Sequence, residues 1–194
     1  MQPGKLVLII GPSGVGKSVI LKDLRKRHPE FVFPRSATTR ERRPNEGTDL
    51  YRFLSEEAFD ALIQNEQVLE WAQVHDGARY GTLKEEILPA IEAGKTVIRE
   101  VDVQGFQSIR ENALFSGTTP RYPLVSIFIL PESKEQLIRR ITHRAPISSD
   151  ELAHRVESMD RELDQAKFCT LQILNREGKL EETLREVEAA LAAR

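Results

Sequence analysis

Residues 11–18 read Gly11-Pro12-Ser13-Gly14-Val15-Gly16-Lys17-Ser18. A turn with three glycines lets several backbone N–H groups converge on one anion. Lys17 has the reach for β- and γ-phosphate oxygens, and Ser18 can place a hydroxyl on Mg²⁺. The apolar run Leu6-Val7-Leu8-Ile9-Ile10 leads straight into this turn. Helical spacing through Ile20 and Leu24 follows it. The loop therefore joins a strand to a helix whose positive N-terminal end adds to the anion site. A turn that bound nothing would have no use for Lys17 and Ser18 together. The chemistry is the grip of a nucleoside triphosphate.

A second group of residues suits a different anion. Residues 36–43 read Ser-Ala-Thr-Thr-Arg-Glu-Arg-Arg, and Tyr51, Glu70, Tyr80, Thr82, Glu100 and Asp102 follow. Arg40 and Arg43 can clasp a phosphate through paired N–H groups, and Tyr51 and Tyr80 can each donate a phenolic O–H. An arbitrary loop carrying Arg40, Arg42 and Arg43 would be only a solvated charged face. Glu70 lies in an apolar segment beside Trp71, where a carboxylate needs donors. Guanine offers N1–H and N2–H₂ on one edge and accepts at O6. A carboxylate with a hydroxyl, from Ser36 or Thr82, therefore selects guanine over adenine. Glu100 and Asp102 are read on alternate positions of one strand, hence on one face.

The elements that must position these residues alternate strand and helix. Strands are predicted at about 5–10, 68–74, 96–103, 124–130 and 170–174. Helices are predicted to about His28, from a Ser55 cap to Gln64, and over 83–93, 105–113, 133–143, 150–167 and 180–191. That order implies an α/β fold with a parallel sheet core and covering helices. Residues 31–83 interrupt the order with short pieces, predicted to be antiparallel, and residues 114–123 read as an exposed loop. Leu152, Val156, Met159 and Leu163 read as a core stripe.

The 194 residues suit one domain with small insertions. A net charge of −2 speaks against nonspecific nucleic-acid binding. Cys169, the single cysteine, permits no intrachain disulfide, fits a cytoplasmic setting and reads as a small core residue. The five-residue apolar start is too short for a signal peptide or a membrane span.

Taken together, the loop with Ser36-Ala37-Thr38-Thr39-Arg40, Arg43, Glu70-Trp71-Ala72, Tyr80-Gly81-Thr82 and Glu100-Val101-Asp102-Val103-Gln104-Gly105 resembles guanylate kinase, over about Gly4 to Leu191. The resemblance implies a P-loop core (about 1–32, 95–138 and 168–194), a mixed α+β GMP-binding insertion (about 33–94) and a helical lid (about 139–167). It implies phosphoryl transfer from ATP to GMP with Mg²⁺. Arg40, Arg43, Tyr51 and Tyr80 would hold the GMP phosphate, and Ser36, Glu70, Thr82 and Asp102 would read guanine. Glu100 would serve the GMP side and reach Mg²⁺ through water, with Ser18 as direct ligand. Lys17 and the loop backbone would bind ATP. Arg140, Arg144 and Arg155 would neutralise the transferring group, and Asn175 would lie near adenine. ATP and GMP are the implied partners, with no nucleic acid or membrane, for a monomer or homo-oligomer. A non-catalytic phosphopeptide-binding module of the same shape typically loses the loop residues, which are intact here. A kinase with a shifted acceptor is a further alternative, raised by the departures on the nucleotide side, and intact Glu70 and Asp102 argue for guanine. A regulatory GTPase would carry an Asn-Lys-x-Asp segment, absent from the chain. The chain departs from the family pattern at Val19, Arg99, Ala145-Pro146, Arg176 and the longer 114–123 segment. Arg99, in a strand read as buried, calls for a carboxylate partner.

Overall fold

The computed structural model describes residues 3–44, 46–73, 77–144 and 148–192. The apolar run becomes strand β1 (Lys5–Ile10), in which Leu6 to Ile10 are fully buried. Helix α1 (Lys17–Arg27) begins at the end of the glycine-rich turn. It is followed by β2 (Ser36–Thr38), β3 (Tyr51–Phe53), α2 (Glu56–Gln64), β4 (Val68–Gln73), β5 (Arg79–Leu83) and α3 (Lys84–Glu92). Then come β6 (Thr96–Glu100), α4 (Val103–Glu111), β7 (Leu124–Pro131), α5 (Lys134–Arg144) and α6 (Ser149–Asp164). A 3-10 turn (Gln165–Phe168), β8 (Leu171–Asn175) and α7 (Leu180–Ala192) close the described chain. Ser55 caps α2 as its type predicts, its hydroxyl accepting the Ala58 N–H at 3.1 Å.

The strands form two sheets, ordered β6-β1-β7-β8 and β3-β2-β5-β4. The first is the parallel sheet of the α/β fold, with β7 and β8 in register from Ile127 opposite Leu171 to Pro131 opposite Asn175. Among the described residues, no helix is long and apolar enough to cross a membrane. The chain divides into two compact units. One comprises Met1–Leu6, Glu30–Arg99 and Gln104–Leu124; the other comprises Val7–Pro29, Glu100–Val103 and Val125–Arg194.

In the first unit the short pieces of 31–83 are not all antiparallel. β2 runs parallel to β3 and antiparallel to β5. Residues 79–83, just ahead of the expected helix, form β5 and pair with β4. Phe59, Ala37 and Leu83 form the small core under this sheet. The 114–123 segment is not simply exposed. Phe115 and Tyr122 are 6% and 3% exposed, their rings 6.1 Å apart, and the Tyr122 hydroxyl donates to Glu92 at 2.5 Å. Two aromatics on one loop bury more area together than the intervening polar residues can hold in solvent.

In the second unit, α7 buries Leu184, Val187 and Leu191, as its spacing predicts. Cys169 is half-buried, its thiol 3.7 Å from the Gln165 carbonyl. The predicted strand 96–103 is shorter than expected. β6 ends at Glu100 and α4 opens at Val103, so Asp102 does not alternate with Glu100 on one strand. An acid directly before a helix is favoured by the helix dipole, and that preference ends the strand early.

Candidate functional site

The phosphate loop in the second unit is built by backbone geometry. Gly16 has φ 107°, and a Cβ there would lie 2.7 Å from Asn175 Nδ2. Gly11 has φ 149°, and a Cβ there would lie 2.6 Å from the Ile129 carbonyl oxygen. Any side chain at these two positions would force the loop off β7 or off Asn175. Val15 is fully buried and pins the middle of the loop.

Lys17 spans that loop. Its ammonium donates to the Gly11 carbonyl at 2.6 Å and the Pro12 carbonyl at 3.2 Å, and stands 3.8 Å from Glu100 Oε1. Burial pushes its pKa down, while the charges of Glu100, Glu162 and Asp102 hold it up. Ser18 donates to Glu100 Oε2 at 3.4 Å. A hydroxyl beside a carboxylate oxygen is a hard-oxygen donor set of the sort Mg²⁺ takes, with water and phosphate filling its remaining positions.

Asn175 is 5% exposed, and both ends of its amide are engaged within the chain. Nδ2 donates to the Val15 carbonyl at 2.7 Å, and Oδ1 accepts from the Thr183 hydroxyl at 3.0 Å. The residue anchors the loop from β8, and Arg176 beside it is exposed. Arg140 reaches the same Val15 carbonyl, with Nη1 at 3.4 Å. Arg155 is exposed on α6, and Asp102 is exposed before α4. The Arg144 side chain and the departure at Ala145-Pro146 lie outside the described residues.

Sequence reasoning missed Glu162. It lies on α6 three residues past buried Met159. Burial pushes its carboxyl up, while the Ser158 hydroxyl, the Lys17 charge and the Ser13 N–H of the loop pull it back. The signal was its spacing: Arg155, Met159 and Glu162 share one helix face.

The first unit holds the second cluster. Arg40 lies at its centre: Nε donates to the Tyr80 hydroxyl at 3.1 Å and Nη2 to Glu46 Oε1 at 2.8 Å. Its guanidinium lies 5.5 Å from the Tyr51 ring centroid. The other oxygen of Glu46 accepts the Arg43 backbone N–H at 3.1 Å, and Arg40 holds the Glu46 carboxyl below the usual carboxylate range. A carboxylate thus occupies donors suited to a phosphate. Arg43 is exposed beside them.

Further along this sheet, Glu70 on β4 faces Thr82 on β5 across the antiparallel pair. The fully buried Thr82 donates its hydroxyl to Glu70. Arg99 completes the group. Its Nη2 is 4.0 Å from Glu70 Oε1, its Nε donates to Thr82 Oγ1 at 2.9 Å, and its Nη1 donates to Ser36 Oγ at 2.8 Å. Glu70 is the carboxylate that a buried Arg99 calls for. An ionised carboxylate stays 9% exposed here because a hydroxyl and a guanidinium compensate it. The cluster offers an acceptor, Glu70, and a hydroxyl donor, Ser36, to a flat polar ring.

A family model described as guanylate kinase matches residues 3–194. The chain belongs to the guanylate kinase family. A guanylate kinase of Thermosynechococcus vestitus is 41% identical, covering 98% of this chain and 94% of the relative. One from Nocardia farcinica is 42% identical over 84% of this chain and 81% of its own length. The crystal structure of guanylate kinase from Anaplasma phagocytophilum superposes with a TM-score of 0.71 at 26% identity, covering 98% of this chain and 86% of that one. The family is that of nucleoside monophosphate kinases, so the chain is a phosphotransferase of the mixed α/β class.

Proposed function

We propose that the protein transfers the γ-phosphoryl group of ATP to GMP, and that the two clusters divide the substrates between them. Support comes above all from the gathering of Glu70, Thr82 and Ser36 around Arg99 in one unit and the intact Lys17-Ser18 loop in the other. A triphosphate tail needs converging N–H groups and a cation, and a guanine edge needs an acceptor beside a donor.

In this reading, Lys17 and the loop amides hold the ATP phosphates, and Asn175 keeps the loop in shape. Ser18 and Glu100 hold Mg²⁺, Glu100 through water, and the ion neutralises phosphate charge when bound. Arg40, Tyr80, Tyr51 and Arg43 take the GMP phosphate from the place where Glu46 now bonds Arg40. Glu70 accepts from guanine N1–H and N2–H₂. Asp102 and Glu100 serve the same nucleotide, and Arg140, Arg144 and Arg155 stabilise charge on the transferring group. The acceptor phosphate is already an oxyanion, so no general base is needed. Positioning and positive charge carry the rate. Residues 139–167 act as a lid that excludes water, and 33–94 as the GMP-binding insertion. The reaction belongs in the cytoplasm, with ATP and GMP as partners of a monomer or homo-oligomer.

The test is ADP production with GMP, dGMP, AMP, CMP and UMP as acceptors. Turnover is expected with GMP and dGMP. Absence of turnover with GMP by the folded protein overturns the reading.

A further inference from the structure

Arg99 is a charged residue on a largely buried strand, and Glu70, Thr82 and Ser36 beside it are the groups assigned to the guanine edge. β6 buries Val97 and Ile98 around it, and its own side chain is 11% exposed. A guanidinium donates only, whereas a hydroxyl can donate or accept. Ser36 Oγ and Thr82 Oγ1 each accept from Arg99, at 2.8 and 2.9 Å. The Thr82 hydrogen is directed to Glu70. Accepting from a cation makes a hydroxyl a stronger donor and a poorer acceptor, because the bonds polarise one another.

From this geometry we propose that Arg99 is a positioning residue for base choice. It biases Ser36 toward donating and keeps Glu70 an ionised acceptor. The pocket then favours a purine with a 6-oxo acceptor and disfavours one with a 6-amino donor. With an apolar residue at position 99, the Ser36 hydroxyl could turn and accept from a 6-amino group. Arg99 also compensates the Glu70 charge, which a leucine would not. The inference rests on the guanine reading of this pocket.

The test compares kcat/KM for GMP with that for 2,6-diaminopurine riboside 5′-monophosphate, which keeps the 2-amino group and exchanges 6-oxo for 6-amino. Both are measured in the parent protein, Arg99→Leu, Ser36→Ala and the double variant. Loss of a charge-assisted contact predicts that Arg99→Leu lowers the GMP preference by roughly 10- to 100-fold. The loss is carried by the GMP KM, with the ATP KM unchanged. Ser36→Ala lowers the preference similarly, and the double variant loses little more, as expected of residues acting through one contact. Arg99→Lys keeps a cation without the fork that spans both hydroxyls, so it falls between parent and Arg99→Leu and carries the test if Arg99→Leu does not fold.

A preference retained within about twofold in folded Arg99→Leu or Arg99→Lys overturns the inference, as do fully additive losses in the double variant. A parent protein that turns over GMP no better than the diamino nucleotide overturns the guanine reading itself, and the inference with it.

Discussion

Replacing Asn175 with alanine tests how the phosphate loop is held. The substitution removes two buried hydrogen bonds, 2.7 Å to the Val15 carbonyl and 3.0 Å from the Thr183 hydroxyl. A stranded buried polar group costs about 1–3 kcal/mol. Neither group is wholly stranded, since Arg140 stands 3.4 Å from the Val15 carbonyl and Thr183 lies 3.5 Å from the Lys179 carbonyl. Both substitutes are long, so the net cost is about 2–4 kcal/mol, toward the lower half of the summed penalty. For a domain of this size that lowers Tm by roughly 5–15 °C. Loosening Val15 also misaligns the loop amides, so the ATP KM rises while the GMP KM holds. Thr183→Val leaves the Val15 bond intact and costs about 1 kcal/mol, with little change in either KM. Thermal unfolding and steady-state ADP production, varying each nucleotide in turn, read both effects. An unchanged Tm, or equal rises in both KM values, would refute the loop-anchor reasoning.

Other substitutions probe the remaining parts of the site. Lys17→Met keeps the apolar stem but removes the ammonium. It is expected to lower kcat by about 100-fold or more with the fold retained, and a near-parental rate by coupled assay contradicts the phosphate role. Glu70→Gln sets an amide donor toward the guanine donors. GMP kcat/KM should drop about 10- to 100-fold with the ATP KM steady, and parallel losses for both nucleotides count against the base-reading role. Glu162 provides a pH test. Its carboxyl is raised above 4.5 in the folded protein, so the stability it contributes is full below that value and is lost as pH rises through the folded pKa. Glu162→Gln does not titrate, so its stability relative to the parent should rise from about pH 4.5 toward neutrality, read from urea midpoints. A pH-independent difference rejects that assignment.

Much of this protein is legible from local patterns. Residues 11–18 carry their whole pattern in order, because a turn of converging N–H groups is made by consecutive backbone groups. Ser55, the α7 stripe and the β1 run likewise carry their own signals, since caps and periodicity depend on near neighbours. Strand ends were less legible. β6 ends at Glu100 because the pull of a following helix on Asp102 competes with strand propensity, and a pattern of apolar residues does not weigh the two. The 114–123 loop misleads for a similar reason: its composition is that of a turn, and only packing shows that Phe115 and Tyr122 meet.

By itself, then, the sequence determined a strand–loop–helix with a glycine-rich turn, an α/β order of elements and the residue motifs of the guanylate kinase family. Tertiary structure decided who partners whom. Ser36, Glu70, Thr82 and Arg99 come from four separate strands, and Asn175 reaches Val15 across a separation of 160 residues. Strand pairing sets Glu70 opposite Thr82, while side-chain contacts between elements bring in Arg99 and tie Asn175 to Val15, and contacts over long stretches of chain leave no trace in local spacing. The charge of Arg99 announced that it needed a carboxylate; only the folded chain shows Glu70 beside it.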